Sequence, residues 1–539
     1  MRFKSPILIV GAVAGILALG AQIHSQNRAL AQLPVNSPDA VSAAIRNLPA
    51  PPAAGARRQA SGARVVARPT PIPTLKPRFV GQKTIRVGLS TAGGAIAVYA
   101  PDGATLFDLE QPGLTLSLPA GARFGFAFGA ERTSKRGAKT FRGPISVSTA
   151  GGLSDGWKRV YIAVSGNPAR VSTNNNSPRY GRPYRGDLEV FPQKLPEPIK
   201  RKGALALVNV VPLEAYLKGV VPWEMSPSAP LEALKAQAIC ARTKTLDFVQ
   251  SKRFAAGDFE ICDYDACQGY PGTENEKPAT SQAVESTKGL ALYHRGRPID
   301  AVYSTNSGGV TANARDVWKG TTPITYLQSV PDFPANSPLA GLWKGGMTEA
   351  EWGQFCAQPW PSYARPDGVA STRYEARKYR WTQFVSAEEA RRAFTGDGLS
   401  QVLSLEVAER TPSGRIRRLR VTGVDAARER LMPTPFSSAP LTKTASLPLK
   451  VVEFEGDGKI RAMFSKQLGS TTALPSSLFV ITPIAGVNGQ VSGWNLQGAG
   501  WGHGVGMCQR GAQNHAREGW DARKILNWYY RGVEIRRVN

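Results

Sequence analysis

Residues 230–250 read PLEALKAQAICARTKTLDFVQ, an unbroken run of helix formers in a chain otherwise punctuated throughout by 55 glycines and 41 prolines. Pro230 suits a first helical turn, and Glu232 suits the positive N-terminal end. Leu231, Leu234, Ala238 and Ala241 recur at helical spacing and are expected to face the core. The rest of the chain must fit around that helix in shorter pieces. Val210–Val221 (VVPLEAYLKGVV) predicts a shorter amphipathic helix, and Thr84–Ser90 alternates as a strand does. Through about residue 210 the pattern stays short-stranded. Val402–Ala408, Arg415–Val421 and Leu478–Ile481 read as strands, and Arg380–Ala393 and Trp520–Tyr530 as helices. Residues 330–380, rich in Pro, Trp and Gly, read as an irregular insertion. The expected class is α+β: a short-stranded, β-rich body with one long central helix.

The ends of the chain speak to location. Arg2 and Lys4 precede an apolar run from Ile7 to Ala21, and Ala29-Leu30-Ala31 supplies small residues for cleavage. Residues 1–31 therefore read as an export signal, either cleaved or kept as a membrane anchor, since Ile7–Ile23 approaches a spanning length. Residues 32–83, rich in Ala, Pro and Arg, read as a linker. The formal charge is +27, from 67 basic and 40 acidic residues. That field favours anionic partners. Export and the lack of any nucleic-acid-binding signature turn the expectation from nucleic acid to an anionic envelope polymer, with a merely well-solvated basic surface as the alternative.

Four separated clusters carry chemistry. Val221-Pro222-Trp223-Glu224-Met225-Ser226 sets a carboxylate between Trp and Met, where desolvation favours the protonated acid and the nearby helix N-terminus opposes it. Ser304, Asn306 and Ser307 beside Gly308 and Gly309 form a polar, hydrogen-bonding turn. In Gly498–Met507 glycines alternate with Ala499, Trp501, His503, Val505 and Met507; an extended conformation would leave one face as bare backbone open to another chain or a ligand. No Gly-Lys-Ser/Thr follows, so this is no phosphate loop. Cys262 and Cys267, five positions apart, fit either a local disulfide or half of a zinc site.

Together the stretches EAYLKGVVPWEMSPSAPLEALKAQAICARTKTL, CDYDACQGY, YSTNSGGVTANARDVW and GWGHGVGMCQRGAQNHAREGWDARKILNWYYRGVEI resemble the SpoIID/LytB family, the stage II sporulation protein D group. SGRIRRLRV and RAMFSKQLGSTTALPSSLFVI fit in order, so the resemblance runs from about residue 84 to 539: a β-rich part to 200, a core over 201–329, the insertion, and a C-terminal part from 381. The resemblance implies a substrate groove between lobes and a lytic transglycosylase acting on peptide-stripped peptidoglycan strands, or else a non-catalytic enhancer of a cell-wall amidase. It places the catalytic glutamate at Glu224 and a supporting arginine at Arg242. Trp223, Gln268, Ser304, Asn306, Ser307, Gly308, Gly309, His503 and Gln509 would bind substrate. No cofactor is required for that chemistry. Some relatives hold zinc near the segment of Cys262 and Cys267, but Ala266 stands where histidine is often found. Cys508 and Arg510 stand where the family usually has serine and tyrosine. The implied location is the periplasm or cell wall.

Overall fold

The computed structural model describes residues 82–93, 95–128, 132–133, 139–140, 145–173, 181–192, 205–318, 324–343, 347–358, 362–365, 373–431, 447–464, 474–486 and 490–538. The expected export signal and all but the last two residues of the expected linker lie outside them. No helix among the described residues is long and apolar enough to cross a membrane. The fold is α+β and strand-rich. It divides into two compact units, one made of the chain up to Glu224 with Phe248–Lys277, the other of Met225–Asp247 with the chain from Pro278 on.

The first unit is built on two sheets. Seven strands pair in the order Ile261–Cys262, Thr84–Gly93, Leu205–Pro212, Asp187–Pro192, Val160–Val164, Ala104–Asp108, Thr115–Leu118, antiparallel except where Ile261–Cys262 runs parallel to Thr84–Gly93. The second sheet has six strands, with Ala95–Ala100 buried along its whole length near the centre. Alternation explains the expected first strand: Ile85 and Val87 have no exposed surface, so one face of Thr84–Gly93 belongs to the core. The strand Leu205–Pro212 leads directly into a helix, Leu213–Glu224, matching the predicted short amphipathic piece. Its buried apolar side chains, Leu213, Tyr216, Leu217, Val220 and Val221, fall at the three- and four-residue intervals of one helix face. Each such side chain contributes roughly 1.5–3 kcal/mol on burial. This stripe fixes the helix, and the helix delivers Trp223 and Glu224 at its end.

The predicted long helix spans Leu231–Ser251 over 21 residues, and its Leu231–Asp247 part belongs to the second unit. Glu232 does more than meet the helix N-terminus: its carboxylate accepts from the Ala522 N–H at 2.9 Å and from Lys235 Nζ at 2.6 Å. Two three-stranded sheets, Arg380–Ser386 with Val491–Ala499 and Phe479–Ala485, and Leu399–Arg410 with Ile416–Asp425 and Leu449–Glu455, enclose one core around Trp381, Phe394, Leu419, Phe464 and Trp494. Two expectations change here. Arg380–Ala393 is a strand followed by a helix, Ala387–Phe394, because Ser386 and Glu389 form a capping box that starts the helix seven residues late. Within 330–380 the chain forms helices Pro338–Leu342, Glu349–Ala357 and Arg373–Tyr379 rather than irregular structure alone. Thr348 and Glu351 cap the second of these, and Leu339, Trp352 and Phe355 pack with Val310, Leu478, Val480 and Ala499 in a second small core.

Candidate functional site

Glu224 ends its helix half-buried, beside an indole that is 49% exposed, that of Trp223. The loop facing it is CDYDACQGY. Gly269 donates its N–H to Glu224 Oε1 at 3.1 Å, and a Cβ on Gly269 would lie 2.0 Å from Trp223 Cδ1 and Nε1. The indole therefore rests against the bare Cα of the residue whose amide holds the carboxylate. Gln268, almost fully buried, reaches Tyr216 OH at 3.4 Å, and Tyr270 donates to Asn209 Oδ1 at 2.9 Å. Tyr216 and Tyr270 pack with ring centroids 4.7 Å apart. Gln268 is thus an internal brace of the loop rather than an exposed ligand.

Cys262 and Cys267 are joined in a disulfide that closes this loop. The zinc reading is corrected accordingly: sulfurs bonded to each other offer no thiolates, and among the described residues no group of three or more His, Cys, Asp and Glu could hold a metal. The residues present do not fit a zinc centre. Tyr264, 51% exposed and inside the closed loop, is a second open aromatic that the sequence reading quoted but gave no role.

The expected partner Arg242 does not face solvent. Its guanidinium is fully buried and donates to the carbonyls of Leu290 at 3.1 Å and Val284 at 3.2 Å, joining the long helix to the segment after it. These carbonyl contacts tie Arg242 into the scaffold, and its burial leaves no exposed guanidinium for a sugar.

The glycine-rich segment also departs from expectation. Gly500, Gly502, Gly504 and Gly506 all have positive φ, from 72° to 97°, so between the strand ending at Ala499 and the short strand Met507–Cys508 the backbone is not extended but changes hand at every second residue. What approaches its bare backbone is the chain's own Tyr303–Gly309 segment. Tyr303–Ser304 pairs in parallel with Met507–Cys508, and Asn306 bridges to Trp501. Gly504 leaves space for the buried Arg415, whose Nη2 would lie 1.8 Å from a Cβ there. Arg415 in turn donates to the carbonyls of Ser307 at 3.1 Å and Val310 at 3.2 Å, and burial pulls its pKa down to about 10.

This wrapping consumes the polar turn. Asn306 donates to the Ala364 carbonyl at 2.8 Å and accepts from the Gly308 N–H at 2.9 Å. Ser307 donates to Asp332 Oδ2 at 2.6 Å and accepts from the Gly309 N–H at 3.1 Å. Both are buried, as are Gly308 and Gly309, so the expected sugar contacts of these four residues are replaced by internal ones. Asp332 has no exposed surface, also accepts from Tyr529 OH at 2.7 Å, and is pushed upward in pKa by burial. Nothing in its sequence context marked it. Cys508 accepts from the N–H groups of Gly511 at 3.3 Å and Ser307 at 3.2 Å, capping the Gln509–Arg517 helix as a serine would.

His503 is neutral: burial, with Lys244, Arg415 and Arg461 nearby, lowers its pKa to about 3. Its Nδ1 accepts from the Val505 N–H at 3.0 Å, which leaves the proton on Nε2, and its ring lies 5.1 Å from Trp318. Gln509 donates to Gln237 Oε1 at 3.3 Å, both side chains being buried. Among the described residues Gln237 Nε2 and Ser304 Oγ have no hydrogen-bond partner, so of the expected polar-turn residues Ser304 keeps an uncommitted hydroxyl there. Gln237 was legible only as a polar residue among the buried alanines of the long helix.

Comparison with known proteins matches residues 201–294 to the family model described as "Stage II sporulation protein" and residues 446–506 to a "Domain of unknown function". An uncharacterized protein of Brachyspira hyodysenteriae is 26% identical over 357 residues, covering 66% of this chain and 73% of that one. The amidase enhancer of Bacillus subtilis is 26% identical over 324 residues, covering 59% of this chain but only 40% of its own length. The stage II sporulation protein D of Bacillus subtilis is 26% identical over 352 residues, covering 63% of this chain and 78% of that one. The stretch matched by the family model holds the Leu213–Glu224 helix, the long helix and the disulfide-closed loop, and by these likenesses the chain belongs to the stage II sporulation protein D (SpoIID) family.

Proposed function

We propose that the protein is an exported lytic transglycosylase that cleaves peptide-stripped peptidoglycan strands between N-acetylmuramic acid and N-acetylglucosamine, along a groove that carries Glu224. One observation carries the reading: Glu224 stands at a helix end, its carboxylate accepting from the Gly269 amide, beside an exposed indole and a loop closed by a disulfide. Such a carboxyl is accessible yet oriented, as a group that must gain and lose a proton on substrate needs to be. Glu224 passes its proton to the glycosidic oxygen as the C1–O bond breaks. It then takes the proton of the muramyl 6-hydroxyl as that oxygen closes onto C1, and the product is a 1,6-anhydro sugar. The nucleophile belongs to the substrate, so a second carboxylate is not required. Trp223 offers its face to a sugar ring, and the Gly269 N–H steadies the carboxylate between the two transfers.

The name of one relative, amidase enhancer, supports a second reading in which the protein binds strands and stimulates an N-acetylmuramoyl-L-alanine amidase. Digestion of peptide-free strands by the full chain, beside Glu224→Gln, separates the two. Anhydro-muramyl products from wild type, reduced 10²- to 10⁴-fold by the substitution, are expected, on the order of what general acid–base catalysis contributes. Strands left intact by both proteins would sink the transglycosylase and leave the enhancer, to be tested by freed stem peptides when an amidase is added.

A further inference from the structure

The second unit carries a concave surface that the Glu224 chemistry does not use. Trp520, Asp521, Arg523, Lys524, Asn527 and Trp528 line an open cleft of about 600 Å³ along the helix Ala522–Tyr529. The two indoles meet edge to face with centroids 5.7 Å apart. Trp520 is held from behind by His515, whose ring stacks on it at 4.0 Å, so the platform is fixed. Lys524 Nζ stands 4.1 Å from the centre of the Trp520 ring, and the Arg531 guanidinium 5.3 Å from that of Trp528. The acid of the lining, Asp521, is engaged at the helix start, where it accepts from the Lys524 N–H at 2.7 Å. Trp528 Nε1 is buried with no hydrogen-bond partner among the described residues.

Aromatic walls, an amide at Asn527 and a surplus of cations on exposed positions suit a ligand that is a flat ring with apolar C–H faces, polar substituents and a negative charge. A charge brought to Lys524 is held over an aromatic face, which ties the ionic contact to ring packing. We propose that this cleft binds an acidic N-acetylhexosamine of a peptide-free glycan strand, its carboxylate against Arg523 and Lys524 and its ring against the indoles. The inference rests on the glycan-strand reading above and adds a second sugar site in the unit that does not contain Glu224.

The test is equilibrium binding of the full chain carrying Glu224→Gln, so that no strand is cut, to two probes of equal length. One is peptide-free peptidoglycan strand; the other is chito-oligosaccharide, which has the same N-acetylated rings and no carboxylate. Adding R523E and K524E is expected to weaken strand binding about tenfold or more and to leave chito-oligosaccharide binding within about twofold, while R523K with K524R restores the strand affinity. Unchanged strand affinity, equal loss for both probes, or no strand binding by the parent overturns the proposal. The Glu224 reading is judged on a different readout, anhydro-muramyl product from the chain with Glu224 intact, so either can fail while the other stands.

Discussion

The loop at Glu224 and the turn at Asn306–Gly309 contain the same kinds of residue and put them to opposite uses. In the first, Trp223 and Tyr264 are half exposed and Glu224 is held by a main-chain amide. In the second, Asn306, Ser307 and Asp332 are buried and bonded to one another or to backbone. A polar motif therefore does chemistry or holds backbone according to where its hydrogen bonds go, and only an account of partners distinguishes the two.

Asp332→Ala should have the largest effect and should fall on stability. It strips the acceptor from Ser307 and Tyr529 in a site with no water-facing surface, so a loss of roughly 3 kcal/mol or more is expected. Thermal or urea unfolding reads it. If the variant melts with wild type, the buried turn is not the scaffold described, and its residues return to the list of substrate contacts.

Gly269→Ala should show the reverse: stability within about 1 kcal/mol and strand cleavage reduced roughly tenfold, since only an exposed indole must move. A cycle with Trp223→Ala isolates the cause, because contacting residues couple. With the indole removed, the added methyl has nothing to displace and should cost little further activity. Equal losses from Gly269→Ala in both backgrounds would mean that the indole contact does not set the carboxylate.

Much of the fold was readable because its signals are local. The stripe Leu213, Tyr216, Leu217, Val220, Val221 and the alternation Ile85, Val87 each report burial over a few residues. Glu224 was legible with its flanking Trp, but the amide that holds it comes from Gly269, 45 positions later. The alternating glycines misled for the same reason. Period two resembles a strand, whereas the positive φ values arise because Tyr303–Gly309 and Arg415 press on those backbones from about 200 and 90 positions away, and no short window contains that information. Asp332 was invisible because its partners Ser307 and Tyr529 lie 25 and 197 positions off.

His515 gives the smallest and sharpest test, because it belongs to the buried side of the comparison yet its ring nitrogens make no hydrogen bond among the described residues. Its ring is packed between Tyr363 at 3.9 Å and Trp520 at 4.0 Å, its Nε2 lies 3.9 Å from Asp332 Oδ1, beyond hydrogen-bond reach, and neither nitrogen has a hydrogen-bond partner among the described residues. Burial, with Lys524 adding, lowers its pKa from 6.5 to about 3, as burial chiefly does for His503. A histidine depressed in this way stabilises the fold above pH 6.5. As pH falls from there toward 3, the unfolded chain takes up a proton at each site that the folded chain refuses, and stability drops. Asp332 opposes this, since its raised pKa lets the folded chain keep a proton that the unfolded chain releases above pH 3.8. His515→Phe keeps the aromatic stack and removes one refused proton. The expected gain is about 1 kcal/mol at pH 7, from relief of two unpaired nitrogens, and more at pH 5, where wild type has begun to lose stability. Melting curves at both pH values decide it. A variant less stable than wild type at each would show that the ring nitrogens are bonded in solution, and that the buried region uses His515 as it uses Ser307.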